Sequence, residues 1–183
     1  MRIISGRWRG RILPARVPPE TRPTQDAVRE AVFNILSTRI EWSGRRVLDV
    51  FAGTGALGLE ALSRGASWCT FVERSANACK AIVENCRALG VEREVYAVVR
   101  ADAVKYLRSA TEQFDVVFAD PPYGNATMVQ LLIEAIQEAN CIAPEAVVVV
   151  EHAASIALPV PLRYELLVHR CWGKTACTIF LRQ

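Results

Sequence analysis

Asp49-Val-Phe-Ala-Gly53-Thr-Gly55-Ala-Leu-Gly58 decides how this chain folds. Residues 46–51 lead into it with the character of a strand, and residues 56–64 leave it with the character of a helix. Glycines at such a junction let the backbone turn tightly and approach a ligand. The helix that follows offers free N–H groups and the positive end of a dipole. A Gly-x-Gly-x-x-Gly string alone is a weak signal. Set between a strand and a helix, it reads as a nucleotide-binding turn.

Downstream of this turn the chain alternates. Strands are expected at 68–73, 95–99, 114–119 and 146–151, and helices at 75–89, 103–109 and 127–140. The 75–89 helix carries its apolar stripe at Cys79, Ile82, Val83, Cys86 and Leu89. Runs such as Val116-Val-Phe-Ala119 and Val147-Val-Val-Val150 lack polar alternation, which suits strands covered on both faces of a parallel sheet. Alternating elements of this length give a doubly wound α/β fold. The tail differs: residues 164–171 and 175–181 are β-prone and joined by Trp172-Gly173-Lys174. They are expected to close a seven-stranded, mostly parallel Rossmann-like sheet with an antiparallel hairpin.

Upstream, Thr24 reads as the N-cap of a helix whose apolar positions are Ala27, Val28, Ala31, Val32, Ile35 and Leu36. Residues 1–23 form a candidate basic arm, and residues 24–183 the main domain. In the arm, 2–5 and 11–13 could be short strands, and Pro14, Pro18, Pro19 and Pro23 break anything longer.

With 183 residues, of which 51% are hydrophobic and 22% charged, the chain has the composition of one globular domain. Its net charge of +3 says little, but the distribution says more. Arg2, Arg7, Arg9, Arg11, Arg16 and Arg22 face a single acid, Glu20, in the first 22 residues. The charge alone leaves open a phosphate-tracking surface and a merely solvated arm. The six cysteines form no CxxC pair and only two histidines exist, so zinc spacing is missing and no metal is expected. Thiols used as small core residues suit a reducing cytoplasm. No signal peptide and no membrane span are expected, because the longest purely apolar run, 146–150, is too short.

Two carboxylates sharpen the reading of the glycine turn. Glu73 ends the next strand, where an acid can accept both hydroxyls of a ribose. Asp102 follows the third strand at the same sheet edge, where it can accept from an adenine amino group, cap the 103–109 helix, or do both. Asp49, four residues before the first glycine, separates two cofactor classes. An acid there repels a pyrophosphate, but it suits a ligand with an ammonium and a sulfonium. S-adenosylmethionine (SAM) carries both.

The second strong signal is Asp115-Val-Val-Phe-Ala-Asp120-Pro121-Pro122-Tyr123, at the end of the fourth strand. Two prolines stiffen the exit and contribute no N–H, so the loop presents acceptors: the Asp120 carboxylate and the Pro121 carbonyl. An exocyclic base amine is a poor nucleophile because its lone pair is delocalised into the ring. Two acceptors on its hydrogens favour a more tetrahedral nitrogen, and Tyr123 offers a face for stacking. A plain turn is the competing reading for a lone Asp-Pro-Pro, but this one lies one unit beyond a SAM-type loop.

The residues resemble a known family, the bacterial 16S ribosomal RNA guanine-N2 methyltransferases of the RsmD type. The resemblance covers nearly the whole chain. Its marks are Arg2-Ile-Ile-Ser-Gly-Arg-Trp-Arg-Gly-Arg-Ile-Leu13, Arg22-Pro-Thr-Gln-Asp-Ala-Val-Arg-Glu-Ala-Val-Phe-Asn34, the block from Leu48 to Ala66, and Asp120-Pro-Pro-Tyr123. The glycine loop and Asp-Pro-Pro-Tyr are common to many amine-methylating enzymes. The first two blocks and Ser63-Arg64-Gly65-Ala66 are more specific. The resemblance implies methylation of a guanine N2 in 16S rRNA, on free RNA or an assembling small ribosomal subunit; the protein is expected to be a cytoplasmic monomer. It implies SAM contacts from Asp49, Phe51, Ala52, Gly53, Thr54, Gly55, Glu73, Asp102 and Ala103. It implies that Asp120, Pro121, Pro122 and Tyr123 act on the base, that Arg7, Arg9, Arg11 and Arg22 touch RNA, and that Arg22-Pro23-Thr24 borders the pocket.

Some residues stay ambiguous. Trp8 can stack on a base or pack on the domain. Arg29 and Glu30 fit either an ordinary helix surface or a pocket wall. His152 reads as a satisfied strand-end residue and His169 as a hairpin residue. Three other functions are to be weighed: an adenine-N6 methyltransferase, a nicotinamide-dependent oxidoreductase, and an RNA-binding module without activity. Asp49 and the lack of a Tyr/Lys or His proton relay oppose the oxidoreductase. The intact Asp120–Tyr123 loop opposes the inactive module.

Overall fold

The computed structural model describes residues 1–14 and 23–183, with the side chains of residues 23–25 excluded. Arg16 and Arg22 therefore lie outside the described residues, as do the side chains of Pro23 and Thr24. In chain order the elements are α1 (Pro23–Ser37), β1 (Arg46–Val50), α2 (Ala56–Ser63), β2 (Trp68–Glu73), α3 (Ala76–Leu89), β3 (Tyr96–Arg100) and α4 (Ala103–Ser109). They continue with β4 (Phe114–Ala119), α5 (Ala126–Glu138), β5 (Ile142–Ala153), β6 (Tyr164–Trp172) and β7 (Thr175–Arg182). A single sheet of seven strands runs in the order β3-β2-β1-β4-β5-β7-β6. The first five strands of that order are parallel, and β7 pairs antiparallel with both β5 and β6.

Each face of the sheet is covered, as the unbroken apolar strands require. On one face Val47, Phe71, Val116, Phe118 and Val149 pack under α1, α2 and α3. On the other, Leu48, Val50, Val117, Ala119, Val148 and Val150 pack under α4 and α5. Phe33 of α1 meets Phe118 of β4 at 5.4 Å between ring centroids. Both rings are fully buried, and each is worth about 2 kcal/mol of transfer free energy.

Local chemistry sets most boundaries. The Ser75 hydroxyl accepts from Ala78 N and caps α3, and Asn125 Oδ1 accepts from Met128 N and caps α5. Helix α1 starts at Pro23, one residue before the expected Thr24 cap, because proline's fixed φ suits a first helical turn. Strand β5 starts four residues earlier than the valine run suggests. Ile142 pairs with Phe114, the register then slips before Val147 pairs with Val116, and Glu145 takes φ 59° in between. The tail hairpin turns on two residues rather than three, since Trp172 still pairs with Thr175 and Gly173 takes φ 62°.

The amino-terminal residues are seated on this domain. Ile3, Trp8 and Leu13 are buried in the core beneath α1, α2 and α3, and Arg2 bridges Ile12 in a single antiparallel pair. Trp8 is thus a packing residue. The seat is Glu60 of α2, fully buried: its Oε2 accepts from Ile4 N at 2.7 Å, and its Oε1 from Ser5 N at 3.0 Å and Arg64 Nε at 2.8 Å. The Ser63 hydroxyl donates to Ser5 O and accepts from Trp8 N, and Ser63 O accepts from Arg7 N. Gly6 crosses so close that a Cβ there would lie 1.8 Å from Ser63 O. Two of the three more specific sequence blocks, one in the arm and one ending α2, are therefore halves of one contact.

Candidate active site

The carboxyl ends of β1, β4 and β5 open onto a cavity of about 170 Å³ at the point where the strand order reverses. From the glycine loop it is lined by Asp49, Phe51, Ala52, Gly53 and Thr54, and from the second loop by Asp120. Ligands of doubly wound sheets bind at such a crevice. The two loops that the sequence singles out thus share one space. Gly55, Glu73, Asp102, Ala103, Pro121, Pro122 and Tyr123 are not part of the cavity wall, although all follow or end strands at the same edge.

Strain is concentrated in the glycine turn. Phe51 takes φ 61°, Gly53 54° and Gly55 79°, a left-handed run that a non-glycine residue such as Phe51 holds only where its surroundings enforce it. Thr54 O accepts from Asn85 Nδ2 of α3 at 3.0 Å, and Gly53 N donates to Glu73 Oε2 at 3.0 Å. Asp49 is buried and its Oδ2 accepts from Gly58 N at 2.9 Å, which fixes the start of α2 over the strand. Gly58 itself admits no side chain, since a Cβ would lie 2.4 Å from Phe71 Cε1 and 2.5 Å from Cys69 Sγ.

Farther along the edge, both Glu73 oxygens already serve the backbone: Oε1 accepts from Ser75 N at 2.7 Å. Each oxygen keeps a second lone pair for a ligand hydroxyl. Asp102 Oδ1 accepts from Lys105 N at 3.0 Å and caps α4, so its capping role is realised. Ala103 is buried in the core, which leaves only its backbone to meet a ligand.

In the second loop Pro121 is buried while Pro122 and Tyr123 are exposed. The Tyr123 ring is 53% exposed, and its hydroxyl donates to Lys174 O at 3.1 Å. The tip of the β6–β7 hairpin thereby holds the aromatic face at the rim.

The electrostatics of the cavity are one-sided. Burial pushes the Asp49 carboxyl well above the usual range; the Gly58 N–H pulls it back in part, and the charges of Asp120 and Glu73 push it up further. Burial raises Asp120 to about 6. Burial, helped by Asp120, raises Glu151 to about 8. Glu151 also lines the cavity, as do Arg29 and Met1. Sequence reading did not pick out Glu151 or Met1 for the site, and it left Arg29 open. The signal for Glu151 was present: it is a fourth acid directly after an apolar strand, in the same position as Glu73 and Asp120.

The arm arginines divide. Arg7 and Arg9 are exposed, with the Arg7 guanidinium 5.7 Å from the Trp8 ring centroid. Arg11 is also exposed, but its guanidinium donates to Ala88 O and to Leu89 O, closing the carbonyl end of α3. His152 is buried between Ala153 O and the Thr178 hydroxyl, and His169 meets the same hydroxyl from β6. Among the described residues no group of three or more His, Cys, Asp or Glu is arranged to hold a metal. Nor is any helix among them long and apolar enough to cross a membrane.

A sequence profile for the family described as Conserved hypothetical protein 95 matches residues 1–181. The chain belongs to this family. Among relatives, the ribosomal RNA small subunit methyltransferase D of Escherichia coli is 35% identical over 100% of this chain and 90% of its own length. The protein of the same name from Haemophilus influenzae is 37% identical over 94% of this chain and 89% of its own. The structure of yhhF, a candidate methyltransferase of Escherichia coli, superposes with a TM-score of 0.86 at 33% identity, covering 100% of this chain and 98% of that one. A Pyrococcus horikoshii protein at 19% identity shares the fold, with a TM-score of 0.69. The family match begins at residue 1, so it takes in the arm contact on Glu60 as well as both loops of the cavity.

Proposed function

We propose that this protein transfers a methyl group from SAM to the exocyclic N2 amine of a guanine in 16S rRNA. One observation carries the reading: Asp49 of the glycine loop and Asp120 of the Asp-Pro-Pro-Tyr loop line the same cavity. The relatives named ribosomal RNA small subunit methyltransferase D supply the substrate class.

The cavity fits SAM by the chemistry of its walls. Three carboxylates face it, and among the described residues none is ion-paired with a lysine or arginine. Such a site attracts an ammonium and a sulfonium and repels a pyrophosphate. Asp49 and the backbone of Phe51, Ala52, Gly53, Thr54 and Gly55 would hold the amino-acid end, Glu73 the ribose, and Asp102 with the Ala103 backbone the adenine. When bound, the sulfonium supplies an electrophilic methyl whose bonding pair leaves with sulfur.

The chain's own work is on the amine. Asp120 and the Pro121 carbonyl accept its two hydrogens, which localises the nitrogen lone pair and aims it. Pro122 keeps the loop rigid, and Tyr123 stacks on the base, worth about 1–3 kcal/mol. Most of the gain is positioning and electrostatics. As nitrogen bonds the methyl carbon it becomes cationic and must shed one proton, which Asp120 passes to water. A duplexed or stacked guanine must be splayed out to enter.

Arg7 and Arg9, with Arg11 and Arg22, track RNA phosphates along the arm of residues 1–23, while residues 24–183 carry the chemistry. The protein acts as a monomer in the cytoplasm on small-subunit RNA or its assembling particle. The test is mass spectrometry of nucleosides from small-subunit RNA of cells with and without the gene. The expected difference is one N2-methylguanine, and a missing N6-methyladenine instead would overturn the base assignment. Asp120→Ala is expected to lose transfer and keep SAM binding. Loss of SAM binding in a folded Asp120→Ala protein would refute the role given to this loop.

A further inference from the structure

Asp120 and Glu151 each follow the last paired residues of neighbouring parallel strands, Ala119 of β4 and Val150 of β5. Adjacent strands lie about 4.8 Å apart, so the two carboxylates stand side by side. They share the sheet face of Phe118 and Val149, the face that α1 covers. Both carboxylates are half-buried and face the cavity, and a purely structural pair would draw its donors from the fold. Among the described residues no side chain or backbone N–H donates to either one. The cross-strand neighbour of Glu151 on β7 is Cys177, which offers no strong donor. The remaining charged side chains of the same cavity are those of Asp49 and Arg29.

Arg29 is a second, independent signal. It is 94% buried on α1, with NH1 on Asp26 at 3.1 Å and NH2 on Arg2 O at 2.7 Å, yet its Nε has no partner. Arg29 lines the same cavity, and its buried Nε–H is a donor without an acceptor. The cavity wall therefore combines two half-buried carboxylates, on β4 and β5, with an arginine on α1 that has a donor to spare.

We propose that Glu151 and Arg29 select the base: Glu151 accepts from the N1–H of the target guanine, and Arg29 donates through Nε to its O6. The inference rests on the guanine-N2 reading above and extends it from the amine to the rest of the base edge. Asp120 and Pro121 serve an amine of any base. The next ring atom separates the purines, because N1 of guanine carries a hydrogen and N1 of adenine carries a lone pair. An ionised Glu151 attracts the first and repels the second. The N1–H donor and the nearby sulfonium both favour that ionised form.

The test compares two synthetic RNAs that differ only at the methylated nucleotide, guanine in one and 2,6-diaminopurine in the other. Both bases keep the N2 amine, but diaminopurine has an acceptor at N1 and an amine in place of O6. Wild-type enzyme is expected to favour guanine in kcat/KM by about 10- to 100-fold, the usual weight of a mismatched charged hydrogen bond. Glu151→Gln, whose amide can either donate or accept, and Glu151→Ala, which does neither, are each expected to cut that preference at least about tenfold. A loss of stability lowers both rates and leaves their ratio unchanged, so the ratio reads recognition. Wild-type enzyme without a preference, or variants that keep the wild-type ratio, would overturn the assignment. Wild-type enzyme that methylates neither RNA, whether free or assembled into small-subunit particles, refutes the guanine-N2 reading itself, and this inference with it.

Discussion

Replacing Glu60 by glutamine changes one atom and should release the arm. Three donors converge on this fully buried carboxylate: Ile4 N, Ser5 N and Arg64 Nε. A glutamine in the same place has one oxygen and one NH2, so at least one of the three donors faces another donor. That unsatisfied group costs about 1–3 kcal/mol, and the others lose the strengthening of a charged acceptor, about 1 kcal/mol each. The sum is about 4 kcal/mol. For a domain of this size each kcal/mol lowers Tm by about 2–4 °C, so Glu60→Gln should melt roughly 8–16 °C below wild type by circular dichroism. If the arm detaches before the domain unfolds, the same energy appears as faster trypsin cleavage after Arg7 and Arg9, which are exposed. A Tm within about 2 °C of wild type, together with an unchanged cleavage rate, would refute the claim that Glu60 holds the arm.

Four further outcomes follow from the site. Asp120 is raised by burial to about 6, and Glu151 by burial and by Asp120 to about 8; both accept most strongly when ionised, so kcat/KM should climb as pH rises through that range. Glu151→Gln should remove the upper part of the climb, and a flat or falling wild-type profile there would contradict the assignment. The same shifts have a stability sign: acids whose folded pKa is raised contribute stability at low pH and lose it as pH rises through the folded value. Asp120→Asn should therefore melt higher than wild type near pH 8 while losing transfer, and a lower Tm would count against a strained carboxylate pair. Gly58→Ala forces a methyl into Phe71 and Cys69 and should cost about 1–3 kcal/mol or more, read as a lower denaturant midpoint. Tyr123→Phe removes the hydroxyl, with its bond to Lys174 O, and should change kcat/KM less than about tenfold, whereas Tyr123→Ala should raise KM for RNA by more, and equal effects would argue against stacking.

The doubly wound order was legible because strand and helix periods alternate cleanly from β1 to β5, and β4 and α4 begin and end where their apolar runs do. Boundaries shifted where a residue obeys a partner distant in sequence. Pro144 and Glu145 look like loop, yet the ladder beside β4 carries them inside β5 by slipping register. Asp49 and Asp120 were readable because each sits in a motif. Glu151 sits in none; it ends an apolar run as Glu73 and Asp120 do, but its partner becomes visible when β5 is laid beside β4. Arg29 was undecidable on α1 alone, since its burial depends on the arm closing over it through Arg2 O. Trp8 was undecidable for the same reason: its burial depends on the seat that Ser63 provides.

The Glu60 contact spans more than fifty positions of sequence, and Arg11 reaches farther still, to Leu89. During synthesis the arginine-rich segment leaves the ribosome well before its seat exists. For that interval Ile3, Trp8 and Leu13 are bare and cationic neighbours flank them, beside the most abundant RNA in the cell. The segment is made before its seat and is among the last to be locked, and Glu60 is the latch whose arrival ends its exposure.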